Sequence, residues 1–199
     1  MLERLGALDV ELFTVIHRTL WPTPWIHVLW IAQLAGTGTG LTPLFLGLFF
    51  LAPRERRIEI LLRVLAAVLL ASLACELLKR ALPVERPFTL LPGVVLNQDV
   101  PKHFSWPSGH TTAIFAFATS VLLLRLSGQL PARPGTAITV VAFVFAALTG
   151  LGRVAIGAHF PLDVLSGAIL AGSVAFVLDG LAEAVVLPRW DARRAKASP

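Results

Sequence analysis

Apolar residues run through this chain in blocks long enough to cross a bilayer, and most charged residues sit between the blocks rather than within them. The first stretch differs. Leu8, Leu12, Phe13, Ile16 and Leu20 recur at helical spacing among Asp9, Glu11 and Arg18, which predicts an amphipathic helix lying on a membrane surface. From Trp21 to Pro53 there is no Asp, Glu, Lys or Arg. That run is too long for one upright helix of about 20 residues. Pro22 and Pro24 break its start, and Gly36-Thr-Gly-Thr-Gly40 breaks its middle. A short interfacial helix at Trp25 to Leu34 and a first span from Thr37 to Ala52 follow. The Gly-Thr alternation lacks the Lys-Ser/Thr and preceding strand of a phosphate loop, so it is read as a closely packed helix start. Further spans are predicted at Ile58 to Leu82, Pro107 to Leu124, Thr136 to Leu151 and Phe160 to Leu187.

The predicted fold is therefore all-α: an integral membrane bundle of about five spans, or six if Leu8 to Leu34 adds one. Its organisation is residues 1–36 as N-terminal amphipathic and interfacial helices, 37–187 as the bundle, and 188–199 as a basic tail. Composition agrees, with 56% hydrophobic and 15% charged residues in 199, against about 25% charged in soluble domains. The net charge of +5 does not point to nucleic acid, because Lys and Arg cluster at span ends without interleaved aromatics. Trp21, Trp25 and Trp30 read as an interfacial belt. The single Cys75 excludes a disulfide framework within the chain, and no signal peptide is evident at the N-terminus.

Charge also sets orientation. With five spans, the loops Arg54 to Arg57 and Arg125 to Arg133 and the basic tail share one side, which the positive-inside rule makes cytoplasmic. The segments from Lys79 to His110 and from Arg153 to Asp163 then lie on the outer face, where their cations need another reason. Phosphate binding supplies one. Lys79, Arg86 and Arg153 are three cations, and Arg offers forked donors that match phosphate oxygens. Pro107 at a helix start would leave the amides of Ser108, Gly109 and His110 unpaired and facing an anion. His159 and Asp163 flank Pro161, a residue suited to a first helical turn. That spacing lets the carboxylate hold one imidazole nitrogen and leave the other free to attack or accept a proton. Taken alone, the pair fits equally well an interfacial His followed by a capping Asp. Elsewhere, Glu76 is read as pairing with Lys79 or Arg80, Lys102 and His103 as loop residues, Asp179 and Glu183 as interfacial, and His17 and His27 as having no evident partner.

Lys79-x6-Arg86-Pro87, Pro107-Ser108-Gly109-His110 and Arg153-x5-His159-x3-Asp163 resemble, in order and spacing, the three signature motifs of the type 2 phosphatidic-acid phosphatase superfamily, which also includes vanadium haloperoxidases. The resemblance implies a helical bundle and a metal-free mechanism with no cofactor. It implies His159 as the nucleophile forming a phosphohistidine, Asp163 as its orienting partner, and His110 as the general acid and then base. Lys79, Arg86, Ser108, the Gly109 amide and Arg153 would hold the phosphoryl oxygens. Hydropathy selects the membrane branch, so the expected function is hydrolysis of a lipid phosphate: undecaprenyl diphosphate, phosphatidic acid, phosphatidylglycerol phosphate or a lipid A phosphate. The expected partners are that lipid and the bilayer, with no obligate protein partner. The expected location is the cell (inner) membrane, with the site on the extracytoplasmic face and the C-terminus in the cytoplasm. Transfer of the phosphoryl group to a second acceptor, and non-catalytic phospholipid binding or transport, are the competing readings. One departure stands out: the family usually has Ser before the third-motif Arg, and here it is Gly152.

Overall fold

In α4 (Arg57–Ala81) the residues sort into two stripes. Ile60, Val64, Ala67, Val68, Ala71, Cys75 and Lys79 are buried, while Ile58, Leu62, Leu65, Leu69, Leu73 and Leu77 are exposed. Both stripes step by three or four residues, so they lie on opposite faces of one helix. The inward face carries small and β-branched residues, and the outward face carries leucine. This is the pattern of a helix bathed in lipid, where close packing rather than escape from water drives association. Lys79 ends the inward stripe, so it points into the protein.

The computed structural model describes residues 2–21, 23–96 and 104–186. It is all-α, with no strand among the described residues. After α1 (Leu2–Leu20) come α2 (Trp25–Ala32), a 3₁₀ turn (Gln33–Gly36), α3 (Gly38–Leu51) and α4. They are followed by α5 (Pro87–Leu90), α6 (Gly109–Leu126), α7 (Ala132–Ala155) and α8 (Pro161–Leu181), which ends in a π turn (Ala182–Val186). Among the described residues, four helices, α4, α6, α7 and α8, are long and apolar enough to cross a membrane. A fifth span is counted if α2, its 3₁₀ turn and α3 are taken as one segment bent by 69°. Asp99, Lys102, His103 and the basic tail lie outside the described residues.

Several element bounds differ from those read in the sequence. The helix at the third span starts at Gly109, not Pro107, and Pro107 lies in the turn before it. α7 is longer at both ends: Pro134 falls in its first turn, where proline is tolerated, and its last turn reaches Arg153. α6 is the central helix, packed on α4, α7 and α8, with Ile114, Phe117, Val121 and Leu124 in the main core. α8 approaches α6 closely because a Cβ at Gly167 would stand 2.8 Å from the Ser108 carbonyl oxygen.

Polar residues gather at both ends of the bundle. At the end holding the N-terminus of α4, Arg63 donates to Gln129 Oε1 at 2.7 Å and pairs with Asp179. Asp179, read from the sequence as interfacial, is a partner in a cross-helix network. The three motifs lie at the opposite end. There, Lys79 turns away from Glu76 and donates to the carbonyls of Phe104 and Ser105 at 2.8 and 3.2 Å. Among the described residues neither Lys79 nor Arg80 forms an ion pair with Glu76.

Candidate active site

The ends of α4, α6, α7 and α8 converge where the three motifs lie. Lys79 comes from the last turn of α4, Ser108 and His110 from the start of α6, and Arg153 from the last turn of α7. Arg86 holds the extended position before Pro87, as a residue preceding proline favours. Asp163 is the third residue of α8, two after Pro161. Residues 152–160 are all buried.

His159 lies in the tight connection between α7 and α8. The amides of Ala158 and His159 both donate to the Arg153 carbonyl, each at 3.1 Å, so the chain folds back over the helix end. Gly157 makes this possible with φ +81°, a backbone region that disfavours side chains. The imidazole is held on both sides. Arg86 Nη1 approaches Nε2 at 3.2 Å, and Asp163 Oδ2 lies 3.4 Å from Nδ1. A guanidinium can only donate, so Nε2 presents its lone pair and the ring proton sits on Nδ1, facing the carboxylate. Ser105, whose hydroxyl donates to Asp163 Oδ2, also lies 3.4 Å from Nδ1. Asp163 Oδ2 further accepts from the Phe160 amide at 2.9 Å. Asp163 thus caps the first turn of α8 and stands beside His159, which is buried rather than interfacial.

Arg86 also donates to the carbonyls of Ala158 at 2.8 Å and Phe104 at 3.1 Å. Arg153 Nη1 donates to Gln33 Oε1 at 2.5 Å. The amide of Ser108 is not free for an anion, contrary to the sequence reading: it donates to the Asp163 carbonyl at 2.9 Å. Its hydroxyl accepts from Thr111 at 2.9 Å. Gly109, His110 and Thr111 precede the first residue of α6 that bonds back within the helix, Thr112. Their amides are the ones left at the N-terminus for an outside acceptor. A Cβ at Gly109 would touch only Cys75 Sγ, at 3.9 Å, so the protein itself leaves space there.

Burial is the first cause that pushes the His159 imidazole well below its usual range, and Arg153, Arg86, Lys79 and His110 add to it. Burial also lowers Arg86, and Asp163 opposes that shift. The sign for stability follows. Unfolded His159 takes up a proton near its ordinary pKa of about 6.5, while the folded group does not. Its contribution is full above that value and is lost as pH falls, by up to about 1.4 kcal/mol per unit. Thermal unfolding in detergent should show a falling midpoint from pH 7.5 to 5. The His159→Gln variant should show a shallower fall, and an unchanged slope would remove His159 as the cause.

Sequence reasoning missed Ser105, Gln33 and the elements that seat them. Ser105 carries no spacing signal beyond its nearness to Pro107. Gln33 did carry one, as the lone amide side chain in the charge-free run, where a long polar residue needs a buried partner. It reaches Arg153 because α2 and its 3₁₀ turn bend into the bundle against α6 and α7. The fit is close: a Cβ at Gly36 would lie 2.5 Å from the His110 carbonyl oxygen, and one at Gly152 would lie 2.8 Å from that of Leu29. The glycine that departs from the family's Ser thus sits where α2 crosses α7. Gly152→Ser should act as overpacking, costing about 1–3 kcal/mol, with a lower unfolding midpoint and reduced turnover. A midpoint equal to wild type with raised turnover would show that the crossing has room.

Comparison with known proteins follows the same arrangement. The family model of the PAP2 superfamily matches residues 60–182. Undecaprenyl-diphosphatase from Sulfolobus acidocaldarius is 24% identical, over 88% of this chain and 79% of that protein. The crystal structure of Aquifex aeolicus LpxE is similar at TM-score 0.68 and 30% identity, covering 86% of this chain and 94% of that one. A Bacillus subtilis structure, described as a transmembrane PAP2 type phosphatidylglycerolphosphate phosphatase, gives TM-score 0.68 and 25% identity over 92% of this chain and 88% of that one. The match spans nearly all of α4, the whole of α6 and α7, and α8, which together bring the three motifs to one end of the bundle, and the chain belongs to the PAP2 superfamily as an integral membrane phosphatase.

Proposed function

We propose that this enzyme hydrolyses a phosphate ester or diphosphate of a membrane lipid through a phosphohistidine on His159. The observation that carries the reading is the placing of His159 Nε2: its lone pair faces the Arg86 guanidinium while Nδ1 faces Asp163. Nε2 attacks phosphorus as the bond to the leaving oxygen breaks, and His110 gives that oxygen its proton. Water then attacks the phosphohistidine, His110 takes the water proton, and the N–P bond breaks to release phosphate. Lys79, Arg86 and Arg153, with the amide of Gly109, stabilise charge on the phosphoryl oxygens, the dominant need in such transfers. Ser108 serves by its hydroxyl. In this reading the three cations do the work a metal ion would do elsewhere.

The motif residues serve the phosphoryl group and its leaving oxygen, so lipid identity rests on other grounds. The name of the Sulfolobus relative makes undecaprenyl diphosphate the first substrate to try, and that of the Bacillus structure adds phosphatidylglycerol phosphate; the motif resemblance adds phosphatidic acid and lipid A phosphates. The positive-inside rule places the site on the extracytoplasmic face and the C-terminus in the cytoplasm. The test is phosphate release by purified protein from undecaprenyl diphosphate, phosphatidic acid, phosphatidylglycerol phosphate and lipid A phosphates, in oxygen-labelled water. Label should enter the released phosphate, vanadate should inhibit, and chelators should have no effect. Loss of activity to a chelator with recovery on adding a divalent metal would sink the mechanism. Unlabelled transfer to a lipid acceptor would make it a phosphotransferase, and hydrolysis of added short-chain substrate only by permeabilised cells would reverse the orientation.

A further inference from the structure

The connection carrying His159 begins at the C-terminus of α7 and ends at the N-terminus of α8, and each helix end leaves backbone groups that its own helix cannot satisfy. Two satisfiers come from elsewhere in the chain, both on α1. The Leu162 amide, in the first turn of α8, donates to Asp9 Oδ1 of α1 at 2.9 Å. The Ala155 carbonyl, the last of α7, lies 2.8 Å from Nδ1 of His17, also on α1. A carbonyl only accepts, so Nδ1 of His17 carries the proton and donates. Between these two bonds Phe13, 1% exposed, packs on Phe160 edge to face at 5.4 Å, in a cluster with Val154. His17 is itself stacked between Phe13 and Trp21. A single helix thus caps both helix ends that flank the reactive histidine and packs on the residue next to it.

The rest of α1 explains how such a helix is kept in place. Leu8, Leu12 and Val15 form an exposed apolar stripe, Glu11 and Arg18 an exposed polar one, and Phe13, His17 and the half-buried Asp9 face the bundle. Lipid, water and protein each meet a separate face, as expected of a helix lying at a bilayer interface.

We infer that α1 is the seat of the reactive connection, with Asp9 and His17 as positioning residues that fix the backbone at Leu162 and Ala155 and thereby aim His159 between Arg86 and Asp163. Neither side chain is assigned contact with the phosphoryl group. The inference rests on the hydrolytic reading of His159 for its kinetic arm only. Asp9→Ala and His17→Leu remove the two caps, whereas Asp9→Asn keeps an Oδ1 acceptor and His17→Asn keeps a donor near the place of Nδ1. In full-length protein hydrolysing phosphatidic acid in mixed micelles, the first two variants should lose kcat by about tenfold to a hundredfold, as small misplacements do, with KM changed less than about twofold. The two conservative variants should recover most of that loss. Hydrogen exchange of the peptide covering residues 155–163 should quicken in Asp9→Ala and His17→Leu and stay near wild type in the conservative pair. Unchanged exchange in the first two variants, or equal losses in all four, would overturn the inference. A wild-type protein inactive on every lipid phosphate would overturn the proposed reaction instead, and the exchange measurement would still judge the role of α1.

Discussion

His159→Ala is expected to lower phosphate release by at least about 10⁴-fold, the scale seen when an attacking group is removed from a covalent mechanism. The variant should keep its affinity for vanadate within about tenfold, because Lys79, Arg86 and Arg153 remain, and cationic donors set anion affinity. The imidazole is buried and its neighbours are polar, so the cavity left by alanine can admit water. Water in that place cannot form the covalent intermediate. Rapid quenching of wild-type turnover at alkaline pH, where phosphohistidine survives, should trap one labelled phosphate per chain, and His159→Ala should trap none. A variant retaining a tenth of the wild-type rate would show that water attacks the lipid phosphate directly.

Arg86→Lys is expected to be nearly as damaging as Arg86→Ala, with kcat/KM lowered by about 10²-fold or more, the range found when a donor to a developing oxyanion is lost. The reason is geometric. Arg86 spans the Ala158 carbonyl, the Phe104 carbonyl and His159 Nε2 with its two terminal nitrogens. One ammonium cannot reach three acceptors held by two separate segments, so the substitution keeps the charge and loses the bridge. The buried Ala158 carbonyl would then be left with a poorer donor, while the Phe104 carbonyl keeps Lys79. Steady-state kinetics on any active lipid phosphate would check this, with unfolding midpoints to separate misfolding from loss of function. A lysine variant within about threefold of wild type would show that charge alone suffices at this position.

Much of the site could be read from residue order. Lys79, Arg86, His110, Arg153, His159 and Asp163 each sit at or near the end of an apolar run, and helices that cross a bilayer bring alternate run ends together by necessity. The inward stripe of α4 likewise places Lys79 inside, since its spacing from Cys75 and Ala71 is helical. The bond from the Ser108 amide to the Asp163 carbonyl could not be read this way. It joins residues on two helices whose approach depends on Gly167, and nothing near Ser108 in the chain marks that partner. Ser105 escaped notice for the same reason, as its role comes from Asp163.

The N-terminal segments show the same division. Periodicity and proline placement were enough to predict an amphipathic first helix, a break, and a second short helix, because these follow from local pattern and chain stiffness. The sequence thus established a membrane bundle with three polar motifs at the ends of its apolar runs, all consequences of hydropathy and residue type within short windows. It left open that α2 bends into the bundle to give Arg153 its partner Gln33, and that α1 caps the two helices around His159. Those facts depend on which surfaces meet across more than a hundred residues. Pairing of that kind is selected by shape and by the need to satisfy buried polar groups, and it comes into being only when the helices have packed.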